Sequence, residues 1–555
     1  MERLSPLLKS SRLGNRYCER LALPRMRRRS ELCVRPSPVA SIQVRRAMNA
    51  FPGFVPVLRA RSSRSRTSRE VMSAHLVGIC GSGMKALAEM LQGLGWSVSG
   101  SDLHPPLLTV DLMRRKGMRI HHGHSSEYVS RETDVLIYSP AITLANPERQ
   151  RAEQLRIPQM SYNQMLGELM KSRVGISIAG THGKSTTTAM VACVLRDGGL
   201  SPSVVIGAEL IGKEDLRSGG LVGSGDSRRA VGDPRRAGVS GWAGESDLFV
   251  VESCEYQKNF LTLSPTHAVL TGIEADHFDY FHVIRETREA FAEFVSRLPA
   301  EGHLVIRGDC EATRVAAASS LAQIETYSLR DGSDWWATDL RPTESGTWFR
   351  IFRGGQFFTE ISLRIPGQHN VLNALAAAAI CHAVGASASA VRDGLQEFRG
   401  IRRRFEVLGS WRGVTLIDDY AHHPTAVTAT LRTAREQFAG RRLLCAFQPH
   451  QDSRTRALLD EFAESFDAAD EVFLVPIFTA RETCRDDAEQ TIGELAERIA
   501  ERGRRVRLLP SLDRLIADLD DAARPGDVLV TMGAGDINRI QHELTRRLQR
   551  YHSAR

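Results

Sequence analysis

Short apolar runs of the kind that form β-strands alternate with helical stretches from about residue 74 to the end of the chain. This alternation is typical of α/β domains whose sheets are largely parallel. The runs fall into three blocks, and we predict separate domains at 74–172, 173–399 and 400–555. With 555 residues, the chain has the length expected of about three domains.

Individual strands and helices can be placed within each block. Strands are predicted at His75–Ile79, Val98–Gly100, Asp134–Tyr138, Val174–Ile178, Leu248–Glu252, Ala268–Thr271, Thr415–Ile417, Leu443–Phe447, Val472–Val475 and Val528–Thr531. Helices are predicted over Met84–Leu94, from Lys184 to about Leu195, and over Asn370–Val384. The sequence contains no run of about 18 uninterrupted apolar residues, so the pattern predicts no membrane insertion.

Two segments lack this periodicity. Residues 1–73 carry 17 Lys and Arg against 4 Asp and Glu, and we expect this leader to be disordered. It is a targeting peptide, a tether to an anionic surface, or a translated upstream stretch with Met72 as the true start; we favour the last. Residues 213–246, rich in Gly, Ser and Arg, are expected to form a long surface loop, either a substrate lid or, as we favour, a tolerated insertion.

The net charge of +8 does not by itself indicate a nucleic-acid-binding protein, because the positive charge is concentrated in the leader. The remaining residues carry 56 basic and 61 acidic side chains, a net charge of −5. The nine cysteines are scattered, without CxxC pairs or His/Cys clusters of zinc-site spacing. We therefore expect a reduced, cytoplasmic protein without a nucleic-acid partner.

A Gly-rich loop between an apolar strand and a helix carries the clearest chemical signal. Its glycines let backbone N–H groups turn towards phosphate oxygens, and the helix N-terminus adds partial positive charge. Lys184 can reach the β- and γ-phosphates of ATP, and the Ser185 hydroxyl can bind Mg²⁺. The spacing is shorter than in the usual G-x-x-x-x-G-K-[ST] motif, and the plain alternative is a turn without a ligand. The loop consists of Gly180, Thr181, His182, Gly183, Lys184, Ser185 and Thr186.

Two acidic segments follow the ends of later strands. Glu252 ends one predicted strand, and Glu255 lies three residues beyond it. Asp276 and His277 follow another strand. Open α/β sheets bind ligands at the carboxyl ends of their strands, so a Glu and a His placed there could bind Mg²⁺. Taken alone, the second segment is more typical of a solvated turn, and only its position after the phosphate loop favours a metal site.

The first predicted strand also leads into a Gly-rich turn, Gly78–Met84, which could bind any diphosphate. Asp102, after the second strand, could hold a ribose hydroxyl, as in dinucleotide-binding folds. These two features alone are compatible with an NAD-dependent oxidoreductase, but the phosphate loop outweighs that interpretation. The pair His422–His423 could bind a metal, although a helix start bounded by Pro424 is the favoured interpretation.

Several separated motifs resemble, in the same order, those of the Mur ligases of peptidoglycan synthesis. The resemblance covers about residues 75–550, and the last three motifs resemble the alanine-adding member of the family. The motifs are Gly78–Met84, Ala179–Thr187, Ile273–His277, Pro366–Asn373, Arg403–Phe405, Asp418–Thr425, Phe447–His450 and Gly533–Asp536.

The resemblance implies an α/β protein of three domains: a Rossmann-like domain for a UDP-sugar, a central P-loop ATPase domain and a Rossmann-like C-terminal domain. It implies that L-alanine is ligated to UDP-N-acetylmuramate with ATP and Mg²⁺, in a cytoplasmic monomer or weak dimer. A carboxylate would attack the γ-phosphate to give an acyl phosphate, which the amine would then attack. Because the implied residues lie in different blocks, we expect catalysis to require domain closure.

The resemblance also implies roles for individual residues, with His450 only a candidate general base. These are, for Mg²⁺, Ser185, Glu252 and His277; for catalysis, Lys184, Arg404 and His450; near the ATP base and ribose, Asn370, Asn373 and Asp419; and near the UDP-sugar or the amino acid, Gly81, Ser82, Gly83, Asp102, Tyr420, His422 and Arg454.

Three positions depart from the family pattern. Cys80 replaces the middle glycine of the first loop, where a side chain limits the approach of pyrophosphate, and this loop resembles that of the murein-tripeptide ligase. Ser253 and Cys254 follow Glu252 where the family usually has Ala and Asp, so one carboxylate is missing. Gln451 stands where an arginine is common.

Three other functions remain open from the sequence. The chain could ligate a preformed murein tripeptide to the same sugar nucleotide. It could be a nucleotide-binding regulatory protein without ligase activity, which Glu252, His277 and Arg404 disfavour. A nucleic-acid-binding role carried by the leader is the third.

Overall fold

The computed structural model describes residues 71–212, 238–479, 486–541 and 543–544, and these residues form sheets of five, ten and six strands. The sheets span residues 73–161, 174–363 and 406–532. The predicted α/β class is confirmed, whereas the domain boundaries at 74, 173 and 400 remain predictions. Nearly all of the predicted leader, and residues 213–237 of the predicted insertion, lie outside the described residues.

The first sheet has the strand order β3-β2-β1-β4-β5, and all neighbouring strands are parallel. Its strands are β1 (Ser73–Val77), β2 (Ser97–Asp102), β3 (Arg119–His122), β4 (Val135–Tyr138) and β5 (Gln159–Ser161). In this Rossmann-like order, ligands bind where the strand sequence changes direction, between β1 and β4. β1 ends two residues before the predicted Ile79 because Gly78 has a φ of +81°.

The central sheet combines a parallel core with antiparallel edges, in the order β15-β14-β13-β12-β11-β10-β6-β9-β7-β8. Its strands are β6 (Val174–Ala179), β7 (Ser203–Val205), β8 (Gly241–Trp242), β9 (Leu248–Glu252), β10 (His267–Leu270), β11 (His303–Arg307), β12 (Gln323–Ser328), β13 (Trp335–Pro342), β14 (Thr347–Arg353) and β15 (Gln356–Leu363). β6 lies between β9 and β10, so the ends of these three strands meet at one edge.

The third sheet has the order β16-β17-β21-β18-β19-β20, in which only the β16–β17 pair is antiparallel. Its strands are β16 (Glu406–Trp411), β17 (Val414–Asp419), β18 (Leu443–Phe447), β19 (Glu471–Leu474), β20 (Arg505–Leu508) and β21 (Val528–Met532). The segments that follow β17 and β18 therefore begin at the same edge of the sheet, with β21 between them.

Helices connect the strands and cover the sheets. They are Ser82–Gly93, Leu107–Arg115, Pro147–Gln154, Tyr162–Met170, Lys184–Asp197, Ile284–Val295, Glu311–Ala317, Gln368–Ala383, Ala388–Glu397, Pro424–Gln437, Asp452–Ala457, Leu459–Ser465, Asp486–Glu501 and Leu512–Ala522. None of the described helices is long and apolar enough to cross a membrane.

Helix Ser82–Gly93 joins the first sheet to the central one. One apolar core contains residues of both, including Leu87 of this helix and Phe249 of β9. The buried Glu89 carboxylate accepts hydrogen bonds from the backbone N–H groups of Ser240 and Gly241, at 3.0 and 3.1 Å. A Cβ at Gly241 would lie 1.9 Å from a backbone oxygen of the helix, so only glycine permits this close packing.

Candidate active site

The phosphate loop connects β6 to helix Lys184–Asp197, as the sequence predicts. Gly180 and Gly183 have φ values of +130° and +78°, which side chains rarely adopt. A Cβ at Gly183 would lie 2.4 Å from the Asn373 side chain, and a Cβ at Gly180 would lie 2.2 Å from the Thr271 hydroxyl. Both glycines are therefore required by conformation and by space.

The Lys184 ammonium group lies inside this loop. Its Nζ donates to the carbonyl oxygens of Gly180 and Thr181 and lies 3.0 Å from a carboxylate oxygen of Glu255. Desolvation, the largest effect, acts to lower the pKa of Lys184, but Glu255 together with Cys254 and Glu252 outweighs it, and the pKa is raised. The lysine is therefore charged and held by weak carbonyl acceptors that phosphate oxygens can replace.

Glu252 and His277 lie beside the loop: Glu252 ends β9 and His277 follows β10, the two strands on either side of β6. The Ser185 hydroxyl donates to one Glu252 oxygen at 2.7 Å, and the Gly207 N–H donates to the other at 2.7 Å. The Nε2 atom of His277 lies 3.9 Å from Glu255, which links His277 to the Lys184 pair. These hydroxyl, carboxylate and imidazole groups are suitable ligands for a divalent cation next to phosphate.

Glu255 is a residue for which the sequence analysis gave no role. Its side chain is 2% exposed and contacts both Lys184 and His277. The signal in the sequence was its position three residues after Glu252, at the end of a predicted strand. A buried carboxylate at this point neutralises the lysine charge when no phosphate is present.

Residues 274–276 connect the phosphate loop to the third sheet. Glu274 lies 3.2 Å from the His182 ring and accepts a hydrogen bond of 2.6 Å from the Thr425 hydroxyl. His182 and Thr425 hold the pKa of Glu274 down at about 2, although desolvation, the largest effect, acts to raise it. Sequence reasoning missed this residue because His182 and Thr425 are distant from it in the chain.

His423 lies beside this carboxylate and begins helix Pro424–Gln437. Its Nδ1 accepts from the Thr425 N–H at 3.4 Å, and its Nε2 donates to the Ala275 carbonyl at 3.1 Å. Both ring nitrogens are thus occupied, so His423 caps the helix and is poorly placed to bind a metal with His182 and Glu274. This geometry agrees with the predicted helix start bounded by proline.

Asp276 forms a buried ion pair with Arg454. The Arg454 Nε donates to Asp276 at 2.7 Å, and the two side chains are 2% and 9% exposed. Arg454 also donates to the carbonyl oxygen and to Nδ1 of His450, at 2.9 and 3.2 Å. The pKa of the adjacent His422 is well below its usual value, through burial and the Arg454 charge. The structure therefore brings together Arg454 and His450, which follow β18, and His422, which follows β17, with Asp276 beside them.

The residues predicted near the ATP base and ribose are also buried. The Asn373 amide donates to Asn370 at 3.3 Å, and the Thr187 hydroxyl donates to Asn373 at 3.2 Å, which ties this pair to the helix of the phosphate loop. Asp419 accepts from the N–H groups of Phe405 and Ala421 at 2.7 Å each. Burial raises the pKa of Asp419 despite the nearby Arg404.

Arg404 lies over the ring of Tyr420, with its guanidinium carbon 5.1 Å from the ring centre. Arg403 approaches the same ring at 4.9 Å. This stacking holds the Arg404 guanidinium just before β16, the first strand of the third sheet, and near Asp419.

The predicted UDP-sugar residues form a separate group after β1 and β2. Asp102 accepts from the Cys80 N–H at 3.0 Å and therefore fixes the loop that contains Gly81 and Ser82. A Cβ at Gly83 would lie 2.9 Å from the Tyr162 ring. The Cys80 thiol is half-buried, and burial followed by the Asp102 charge raises its pKa to about 12, so this departure adds a neutral side chain to the loop.

Three family models match successive parts of the chain. The Mur ligase family, catalytic domain, matches residues 73–174. The Mur ligase middle domain matches residues 178–381, and the Mur ligase, glutamate ligase domain, matches residues 403–535.

Curated relatives and solved structures match most of the chain. A UDP-N-acetylmuramate–L-alanine ligase of Acidithiobacillus ferrooxidans is 40% identical over 476 residues, covering 84% of this chain and 96% of the relative. The enzyme of that name from Acetivibrio thermocellus is 37% identical over 469 residues, covering 84% and 94%. Among crystal structures, a UDP-N-acetylmuramate-alanine ligase from Thermotoga maritima has a TM-score of 0.68 at 26% identity, covering 87% of this chain and all of that one. A murein peptide ligase from Psychrobacter arcticus has a TM-score of 0.63 at 26% identity, covering 86% and 98%.

These matches confirm the predicted three-domain α/β architecture, because they extend across all three sheets. The chain belongs to the Mur ligase family.

Proposed function

We propose that this chain joins L-alanine to UDP-N-acetylmuramate, with conversion of ATP to ADP and phosphate, in the synthesis of peptidoglycan precursors. The observation that carries the proposal is the charged Lys184, held inside the glycine loop beside Glu255 and close to the Ser185–Glu252 pair. This arrangement suits a polyphosphate and its cation. The substrates are inferred from the names of the relatives at 37% and 40% identity.

The residues of the site fit Mg²⁺ bound together with ATP. Ser185, Glu252 and His277 would hold the ion, and its charge would lower the repulsion between the phosphates and an attacking anion. Lys184 would exchange its carbonyl contacts for phosphate oxygens. Asn370 and Asn373 would lie near the base of ATP, and Asp419 near its ribose.

The proposed reaction has two steps. A carboxylate oxygen of UDP-N-acetylmuramate bonds to the γ-phosphorus of ATP while the bond from that phosphorus to the bridging oxygen breaks, which gives an acyl phosphate and ADP. Lys184 and Arg404 would stabilise the negative charge during this transfer. The uncharged amine of L-alanine then attacks the acyl carbon, phosphate leaves, and the amine loses a proton.

His450 is our candidate for the base that takes this proton. Arg454 now donates to His450 Nδ1, so that nitrogen is occupied. Substrate binding would therefore have to draw Arg454 towards a carboxylate before His450 could act. Tyr420, His422 and Arg454 would line the amino-acid end of the substrate, while Gly81, Ser82, Gly83 and Asp102 would contact the UDP-sugar.

We further propose that the domains run from 74 to 172, 173 to 399 and 400 to 555, and that the third closes on the second during catalysis. Contacts between residues 274–276 and the third sheet's segment support this closure. We expect a monomer or weak dimer that works in the cytoplasm, where ATP is available.

A phosphate-release assay tests the proposal. With UDP-N-acetylmuramate and ATP, L-alanine should stimulate phosphate release more than glycine, L-serine or a murein tripeptide. Lys184→Ala should lower the rate by at least ~10²-fold, because the charge that stabilises the transferred phosphoryl group is lost. Lys171→Ala is the matched control, since this lysine is 55% exposed and pairs only with a neighbouring residue of its own chain segment in the described contacts. Release that needs no amino acid, or a Lys184→Ala rate equal to the control, would refute the assignment.

A second candidate is ligation of a murein tripeptide to the same sugar nucleotide. The likeness to the murein peptide ligase of Psychrobacter arcticus and the Gly78-Ile-Cys-Gly start favour it. In the same assay, this function predicts phosphate release with the tripeptide and none with L-alanine.

A further inference from the structure

Three side chains of different chemistry converge beside Lys184. Cys254, Glu255 and His277 each present one ligand atom, and the three atoms lie within 4.8 Å of one another. The Glu255 and His277 atoms are 3.9 Å apart. Among the free cysteines of the described residues, Cys254 is the only exposed residue.

This donor set differs from one suited to Mg²⁺. Mg²⁺ prefers oxygen ligands, whereas a thiolate, a carboxylate and an imidazole together are typical of Zn²⁺ and similar ions. In a tetrahedral site with bonds of about 2.0–2.3 Å, ligand atoms lie about 3.3–3.8 Å apart. Each observed separation would need to shorten by about 1.5 Å at most. We propose that Cys254, Glu255 and His277 bind one thiophilic divalent cation of the Zn²⁺ class, with water completing the coordination.

The charges around the cluster favour a cation. The Glu255 carboxylate pairs with the Lys184 ammonium group, and the Glu252 carboxylate lies near enough to act on the same charge. These three groups carry a net charge of −1 before the thiol ionises. When the sulfur–metal bond forms, the thiol proton passes to water, and the second negative charge balances the ion.

Occupancy of this site would compete with the proposed reaction. The cation would take Glu255, which now holds Lys184, and His277, which we propose as a Mg²⁺ ligand. One imidazole nitrogen cannot serve two ions at once. The thiophilic ion and Mg²⁺–ATP should therefore bind in mutual exclusion, and the thiol in place of a carboxylate would make this ATP site sensitive to such metals.

Cobalt(II) provides the test, because a sulfur–cobalt bond has a charge-transfer absorption in the near ultraviolet that oxygen and nitrogen ligands do not produce. The full-length, reduced protein is titrated with Co²⁺ alone, without nucleotide or substrate. In the wild type, we expect the absorption band to saturate at one equivalent of Co²⁺ per protein chain. Zn²⁺ should abolish the band by displacing the cobalt ion.

Three variants complete the experiment. Cys254→Ser should lose the band, His277→Ala should weaken Co²⁺ binding by about tenfold or more, and Cys310→Ser should leave the band and the ligase rate unchanged. Cys310 is a suitable control because it is also a partly accessible free thiol, at the start of another helix. A wild type without the band, or a band that Cys254→Ser leaves unchanged, would overturn the proposal. The readout needs no turnover, so its failure is distinct from failure of the ligase assignment.

Discussion

Replacing Asp276 by asparagine would test how strongly the second and third sheets' segments are held together. Asp276 lies in the loop after β10, and its partner Arg454 belongs to the helix after β18. The two side chains are 9% and 2% exposed, and the nitrogen–oxygen distance is 2.7 Å. Asparagine has nearly the same shape and keeps a hydrogen-bond acceptor, so the substitution removes the negative charge and little else.

The size of the effect follows from burial. Two unit charges about 4 Å apart attract by about 4 kcal/mol at an effective dielectric constant of about 20. Removing one partner of a buried pair costs about 3–5 kcal/mol, because the other charge remains buried without compensation. The retained acceptor places Asp276→Asn at the lower end, about 3 kcal/mol, which is about a 100-fold change in an equilibrium. If the two segments can separate, water reaches Arg454 in the open state and solvates its charge. The substitution then destabilises the closed state relative to the open state more than it destabilises the folded protein relative to the unfolded one.

The assay combines phosphate release with thermal unfolding. We expect kcat/KM to fall by about 100-fold in Asp276→Asn. The decrease in Tm should be smaller than the decrease expected if the free energy of unfolding fell by the whole ~3 kcal/mol. Glu293→Gln is the control, since Glu293 pairs with Arg297 on the surface, where the side chains are 47% and 41% exposed and such pairs contribute under about 1 kcal/mol. If Asp276→Asn matched this control in both rate and Tm, the ion pair would not stabilise the closed arrangement.

Two further predictions follow from the loop and from the helix cap. Gly183→Ala should weaken ATP binding, measured by calorimetry, by about tenfold or more, because the substitution strains a positive φ and pushes a Cβ against Asn373. Gly199→Ala is the control: Gly199 also has a positive φ, of +79°, but no atom lies within 4 Å of its Cβ position, so this variant should bind ATP as the wild type does. Burial, and next the His182 charge, lower the pKa of His423 to about 4, against about 6.5 when unfolded, so the unfolded chain binds the proton first. The contribution of His423 to the free energy of unfolding should therefore fall as pH drops from about 6.5 to about 4, by at most about 3 kcal/mol. In urea titrations across this range, the free energy of unfolding of His423→Asn should depend less steeply on pH than that of the wild type.

Elements bounded by clear turn signals could be predicted closely from the sequence. The predicted strands Leu248–Glu252 and Leu443–Phe447 have the observed bounds, because continuous apolar runs end at polar residues on both sides. The first strand was placed two residues late, since the prediction ran through Gly78 to Ile79. The phosphate loop lies where its glycines indicate, between a buried strand and a helix.

The antiparallel edge of the central sheet was not predicted. In β14, apolar residues occur on both faces, because Trp348 and Phe352 lie on the side opposite the buried Phe349 and Ile351. Trp336 of β13 stacks on Phe352 across the pair at 4.6 Å, which stabilises the hairpin through contacts between strands. Such cross-strand contacts leave no simple period-2 signal in the sequence.

Contacts between distant segments were the least predictable part of the site. Asp276 and Arg454 are separated by 178 positions, and Glu274 and Thr425 by 151. Asp276, Glu274 and Thr425 lie in recognisable motifs and Arg454 lies just after one, yet nothing local indicates which carboxylate meets which partner. Lys184 and Glu252, by contrast, were identified because each follows a strand of one sheet, where strand ends converge.

The close packing of helix Ser82–Gly93 on the central sheet has a consequence for inhibitor design. The two loops that begin this helix and helix Lys184–Asp197 belong to segments sharing one apolar core, with Glu89 bonded across the joint. The span between the two loops is therefore preset in the free protein. If the two loops bind pyrophosphate and triphosphate as we propose, a bisubstrate compound that links mimics of both groups would reach both loops without closure of the third sheet's segment. Its linker length can therefore be chosen from the structure of the free protein.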